Sequence, residues 1–98
     1  MEKKLKIIWT AKSLAALQHV YNFYAVKSVE AANRIVNDIV ETAESITFSD
    51  QYQQDEILPQ YRRMVVGHYK ILYRAEQNVI YILSIFDTRQ NPLKLIKE

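Results

Sequence analysis

Most of the chemistry this sequence can offer rests on five basic side chains: Arg62, Arg63, Lys70, Arg74 and Arg89. Four of them fall between Pro59 and Ala75, a stretch with no acidic residue. Where such a stretch is extended, side chains two apart share a face, so Lys70 and Arg74 point the same way with Leu72 between them. Arg62 and Arg63 point to opposite faces, and Arg89 can reach the same edge. Three or four cations on one surface can hold a phosphodiester or pair with an acidic peptide. A solvated basic face is the plainer reading of the same residues. His68, in a turn between basic segments, could carry a proton. Neither His68 nor His19 has a second ligand at helical or hairpin spacing, so no metal site is expected. The single glycine, Gly67, excludes a glycine-rich phosphate loop, and no cofactor is expected.

The frame around these residues is that of one domain, residues 1–98, large enough for a core but near the small end of independent folds. Apolar content of 49% beside 24% charge describes a globular chain. No cysteine is present, which excludes a disulfide framework and thiolate metal ligation. The N-terminal residues lack a signal-peptide core, and no apolar run approaches the roughly 20 residues that span a bilayer. A soluble, cytoplasmic protein with no membrane partner is expected.

Several elements must position the cations. Leu5–Trp9 reads as a strand with Leu5, Ile7 and Trp9 on one face. Thr10 is a candidate N-cap for a helix with Leu14, Leu17, Val20, Tyr21 and Tyr24 at helical spacing. The pattern breaks at Ala25-Val26-Lys27, and Ser28 caps a second helix carrying Ala32, Ile35, Val36, Ile39, Val40, Ala43 and Ile46. So short a connection implies an antiparallel helical hairpin. Ser49 to Leu58 is polar and without period, which predicts a surface loop. Three short strands follow: Met64–Val66, Tyr69–Arg74 and Val79–Phe86. The last is apolar on both faces and is therefore expected in mid-sheet. The tail from Pro92 is expected to form a short helical turn or to fray. The predicted fold class is α+β, in the order β-α-α-β-β-β, with the hairpin on one face of a small antiparallel sheet.

At this point the sequence resembles the RelE/ParE superfamily of bacterial toxins, over nearly its whole length. The resemblance rests on Ile8-Trp9-Thr10-Ala11, on Tyr24…Ser28…Ala31-Ala32 and on Tyr61-Arg62-Arg63. It continues through Gly67-His68-Tyr69-Lys70-Ile71-Leu72-Tyr73 and Ile85-Phe86-Asp87-Thr88-Arg89-Gln90-Asn91-Pro92. It implies the same fold and the toxin half of a type II toxin–antitoxin, or plasmid-stabilisation, module. The partner it implies is a cognate antitoxin, acidic and partly disordered, held in a hetero-oligomer.

Within that superfamily, RelE-like members cleave mRNA on the ribosome with basic sheet residues and a tyrosine near the C-terminus. Residue by residue, Arg62 matches a lysine of that set, Lys70 an arginine and Arg89 approximately another, and His68 could replace the missing proton carrier. Met64 stands near a second basic position, and no tyrosine follows Arg89. ParE-like members inhibit DNA gyrase instead. They share the Trp-Thr-x-x-Ala/Ser-x-x-x-Leu start and the long hairpin, which favours that branch. The alternatives are a RelE-like ribonuclease and a degenerate, non-toxic member. A fold of two layers is expected to leave one sheet face and the outer ridge of the hairpin uncovered. Arg63, Leu72, Arg74, Tyr21 and Tyr24 are the expected contacts there for antitoxin or target.

Overall fold

A computed structural model describes residues 5–96. The elements are β1 (Lys6–Trp9), α1 (Ala11–Ala25), α2 (Val29–Glu44), β2 (Arg62–Val66), β3 (Tyr69–Glu76), β4 (Val79–Asp87) and α3 (Leu93–Ile96). Their order is the expected one, with α3 as the helical turn at the tail. The strands lie side by side as β1-β4-β3-β2, so the doubly apolar β4 is interior.

Both helix starts form where the sequence places a hydroxyl. Thr10 Oγ1 accepts the Ser13 amide N–H at 3.2 Å and donates to the Ile82 carbonyl at 2.8 Å, capping α1 and pinning it to β4. Ser28 Oγ accepts from the Ala31 N–H at 3.1 Å and starts α2. The hairpin lies over one sheet face, and the main core between them includes Val20, Ile39, Ala43, Met64, Ile71 and Tyr73. Leu5, Ile7 and Trp9 turn towards that core, as their alternation predicts.

The sheet is mixed, not wholly antiparallel. β2, β3 and β4 form an antiparallel meander, whereas β1 pairs parallel with β4 from Lys6↔Val79 to Trp9↔Ile82. The long connection that such a parallel pair requires is supplied by the hairpin, which carries the chain from β1 across the sheet to β2, followed by β2 and β3. A bulge between Leu72 and Tyr73 re-phases β3 against β4, so that Tyr73 and Ile82 both face the core.

The larger correction concerns the second sheet face, which is covered. Ser49 to Leu58 is no free surface loop: Tyr52 packs against the main core beside Tyr73, and Ile57 and Leu58 cross to the other face, where they join Leu72, Phe86 and Leu95 of α3 in a second apolar cluster. Leu72 is 2% exposed there. Asp55 is the reason that a polar segment can lie against the sheet. Its backbone N–H donates to the Tyr61 carbonyl at 2.9 Å. Its Oδ2 accepts the amide N–H groups of Ile57 and Leu58 at 3.1 and 2.9 Å. Its Oδ1 accepts from Lys70 Nζ at 2.7 Å, and both side chains are buried. The carboxylate thus accepts three hydrogen bonds where its side chain is almost wholly shielded from water.

Burial alone would raise the Asp55 carboxyl, but the Lys70 ammonium and the two amides outweigh it and hold it below the ordinary value of 3.8. A carboxyl depressed in the folded state contributes stability above its unfolded pKa and loses it as pH falls through the folded one. Stability should therefore drop below about pH 3.8, and Asp55→Asn should remove that part of the acid sensitivity. Breaking the pair with Asp55→Ala should cost roughly 3–5 kcal/mol in urea unfolding, because an unpaired ammonium stays buried. Asp55→Leu combined with Lys70→Met should recover most of that loss. A loss under 1 kcal/mol for Asp55→Ala would mean that the pair does not hold the segment down.

Candidate functional site

The sheet cations do not form one cluster. Arg62 donates from Nη1 to the Tyr52 carbonyl at 2.7 Å, and Arg63 to the Gln54 carbonyl at 2.6 Å. Glu56 adds a weaker contact to Arg63 at 3.5 Å. With Lys70 on Asp55, three of the five cations are bound to residues 52–55, Arg62 on the side of the main core and Lys70 on the second face. Lys70 also lies 5.7 Å from the centre of the Phe86 ring, so its charge is satisfied from two sides. Met64, near a position where the ribonuclease pattern asks for charge, is fully buried in the main core.

Arg74 and Arg89 remain reachable, with side chains 40% and 49% exposed. Arg74 stacks on Tyr81, 4.2 Å from the ring centre, and pairs with Glu76 at 3.0 Å. Arg89 forks onto Asp87 with contacts of 3.0 and 2.8 Å. The register sets Arg74 opposite Tyr81 and Tyr69 opposite Asp87, at the two ends of the β3–β4 pair. Five residues of strand separate them, roughly 17 Å. One phosphodiester cannot bridge both.

Three of the expected residues do meet, at the Arg89 end. Tyr24 of α1 reaches the Tyr69 hydroxyl at 3.4 Å, a long contact. The Arg89 guanidinium is held charged first by Asp87 and then by the Tyr24 hydroxyl. His68 sits in the β2–β3 turn, where Gly67 supplies a φ of +58°. The His68 carbonyl accepts from the Thr88 N–H at 2.7 Å and the Thr88 hydroxyl at 2.8 Å, which ties that turn to the residues beside Arg89. Arg89, more than burial, sets the Asp87 carboxyl below the usual range, with His68 a lesser contributor. The outcome is a hydrogen-bonded knot of Tyr24, Tyr69, Asp87 and Arg89 joining hairpin to sheet, with His68 at its rim.

Tyr21 lies elsewhere, in a groove between α1 and α2 with Leu14, Leu17, Gln18 and Val36. A cleft of about 350 Å³ opens on the other flank of α1, beside the half of β4 that β1 does not reach, lined by His19, Phe23, Phe86 and Lys94 among others. Leu14, Phe23, Val26 and Val29 are each more than half exposed. Phe48, Val65 and Leu93, outside the hairpin, are exposed to a similar degree, so the hairpin carries a share of the accessible apolar surface and not all of it.

Sequence reasoning missed Asp55, Tyr69 and Asp87. Asp55 has a local signal: an aspartate two and three residues ahead of an apolar pair can take their N–H groups and turn the chain inward. Its partner 15 residues on has no local signal. Asp87 next to Arg89 was legible as a possible pair; the Tyr24–Tyr69 contact, 45 residues apart, was not.

A family model for the ParE toxin of the type II toxin–antitoxin system parDE matches residues 7–92. Among solved structures, the chain is similar to one from the chromosomal ParDE toxin–antitoxin system of P. aeruginosa, at 25% identity and a TM-score of 0.75. That match covers 85% of this chain and 95% of the other. A chain of the YoeB dimer from Staphylococcus aureus aligns at 15% identity and a TM-score of 0.38, over 84% of this chain and 94% of that one. No curated protein matches at a significant level.

Burial lifts the Tyr69 phenol well above its ordinary value of 10, with the Tyr24 hydroxyl adding to it, and burial also lifts Tyr73. A group with a raised folded pKa contributes stability below its unfolded value and loses it as pH rises. Of the seven tyrosines, two should therefore form phenolate late in an alkaline absorbance titration, with unfolding accompanying them. Tyr69→Phe should leave one late group. Seven tyrosines titrating together with the fold intact would rule out this arrangement.

Proposed function

Because the chain belongs to the ParE toxin family of type II toxin–antitoxin systems, we propose that it arrests growth by binding a protein target, DNA gyrase, and is neutralised by a cognate antitoxin. The observation that carries a binding mode over phosphodiester cleavage is the state of the cations. Arg62, Arg63 and Lys70 are spent on holding the covering segment, and Lys70, the residue that matches a ribonuclease arginine, is out of solvent. Electrostatic catalysis needs preorganised donors aimed at the charge that develops on the reacting group. Here the donors are aimed at the chain's own carbonyls and at Asp55. Arg89 has its own carboxylate, and no tyrosine follows it.

Neutralisation fits the two cations that stay reachable. An acidic antitoxin segment would meet Arg74 on its Tyr81 platform at one end of the sheet and Arg89 beside Tyr24 at the other. Glu76 and Asp87 are then the internal carboxylates with which it competes. Such exposed pairs act mainly on the association rate.

Purified toxin should inhibit supercoiling by gyrase, and induced cells should stop growing with intact message in primer extension. Codon-phased cuts in mRNA would instead establish the ribonuclease reading. Unimpaired growth after induction without antitoxin would mark a non-toxic member. Arg74→Glu with Arg89→Glu should slow antitoxin association at least tenfold in stopped flow and flatten its salt dependence, with little change in dissociation. An unchanged association rate would place the antitoxin elsewhere.

A further inference from the structure

The two helices of the hairpin treat charge very differently. α2 carries Glu30, Arg34, Asp38, Glu41 and Glu44, whereas α1 has one formally charged residue, Lys12, although most of its positions are exposed. Outside its sheet-facing side α1 exposes Leu14 and Phe23 beside the polar Lys12, Gln18, His19 and Asn22, so large apolar groups are open to a partner there. The sheet covers one side of α1 through Val20, Leu17 and Tyr24. Beside α2 lies the groove of about 370 Å³ lined by Leu14, Leu17, Gln18, Tyr21 and Val36, and none of the described residues fills it.

The α2 wall of this groove continues the pattern. Val29, Asn33, Val36 and Val40 follow one another at helical spacing on the side of Val36. Glu30, Arg34, Asp38 and Glu41 fall on the opposite side by the same phase. Glu44, the one acid at the edge of the groove face, accepts from Trp9 Nε1 at 2.7 Å. Lys12 falls on the far flank of α1. The outer face of the hairpin is thus a stripe of apolar side chains flanked by the amides Gln18, Asn22 and Asn33, with no ionic group along its middle.

We infer that this face binds a second copy of the same chain, hairpin against hairpin, in a four-helix arrangement about a two-fold axis. Charge decides the occupant. A two-fold interface must be complementary to itself, since each residue meets its counterpart's neighbours in both directions. A single-sign patch fails that requirement, whereas an uncharged apolar stripe meets it, and amide side chains that both donate and accept can pair with their own kind. A chain of net charge +2 can approach its copy here without bringing like charges together. An acidic partner finds no cation in the groove to recognise. Depletion of charge at the centre is also the compositional mark of interface cores.

Size sets the strength. Helices of 15 and 16 residues give a face roughly 23 Å long. Side by side they are roughly 20 Å wide, so two such faces bury roughly 900 Å² together, below the size of stable complexes and in the range of weak, transient ones. Association should be weak and concentration-dependent, in about the micromolar range or weaker. This inference does not rest on gyrase or on the antitoxin.

Sedimentation velocity of the isolated chain should show its weight-average mass rising from 11.6 kDa towards twice that as concentration is raised through this range. Gln18→Glu with Asn33→Glu places acids on both walls of the groove, and Gln18→Lys with Asn33→Lys places bases there. Both positions are exposed, so circular dichroism should stay that of the parent. Each variant alone should remain monomeric, with its dissociation constant raised at least tenfold by self-repulsion. The two mixed in equal amounts should associate more tightly than the parent. A parent chain that stays monomeric at several hundred micromolar overturns the inference, as does an acidic variant that dimerises as well as the parent. If the groove is protected from hydrogen exchange only when antitoxin is co-expressed, its occupant is the antitoxin, and the self-association is equally refuted.

Discussion

Lys70 and Asp55 meet at 2.7 Å beneath Ile57 and Leu58, and neither side chain keeps contact with bulk water. A lysine there without its carboxylate would be an unpaired buried charge, and an aspartate without its lysine would be the same with the sign reversed. The pair is therefore cooperative with everything that excludes water from it. The apolar contacts of Leu72, Phe86 and Leu95 protect the charges, and the charges specify where the covering segment must sit. The second layer of this small fold, and with it the chemical character of the whole outer face, follows from that one contact.

The parts of the structure that were legible in the sequence are those written in local periodicity. The break at Ala25-Val26-Lys27, the caps at Thr10 and Ser28 and the doubly apolar Val79–Phe86 strand each depend on residues within one or two turns of each other. The cover was not legible, because the sequence around Asp55 reads as polar whichever way it faces. Its direction is decided by Lys70, Arg62, Arg63 and Tyr73, all on strands that come later in the chain. The same limit explains the reading of the cations. Alternation correctly sets Lys70, Leu72 and Arg74 on one face, but it says nothing of what lies on top of that face. The parallel pairing of β1 is also non-local, since four residues of strand carry no record of which neighbour they will meet.

Charge placement then divides the molecule into two kinds of surface. On the sheet, charged groups are numerous and nearly all spoken for, by carbonyls, by carboxylates or by aromatic rings. On the outer side of the hairpin, charged groups are few and apolar ones are exposed. A protein that worked by attracting nucleic acid would be expected to show the reverse, with free cations on an open face and a well-covered helical layer. The Tyr24 and Tyr69 hydroxyls meet at 3.4 Å where the hairpin borders the sheet, beside the Asp87–Arg89 pair.

The energy needed to convert one kind of surface into the other supports the binding mode. For a phosphate to reach Lys70, Asp55 and the Ile57–Leu58 turn would have to lift from the sheet. Lifting them loosens the Arg63 bond to the Gln54 carbonyl and the Asp55 N–H bond to the Tyr61 carbonyl. Each such bond contributes about 1 kcal/mol net, and those from charged donors somewhat more. It would also part the Lys70–Asp55 pair and return the apolar contacts of Leu72, Phe86, Ile57 and Leu58 to water, at roughly 25 cal/mol for each Å² exposed. Together these terms are comparable with the roughly 5–15 kcal/mol that separates a domain of this kind from its unfolded chain. Opening the face is thus close to unfolding the outer layer, and a phosphodiester would have to offset that before any stabilisation of its transition state could begin. A partner protein that docks on groups already exposed, Arg74 and Arg89 among them, meets no such barrier.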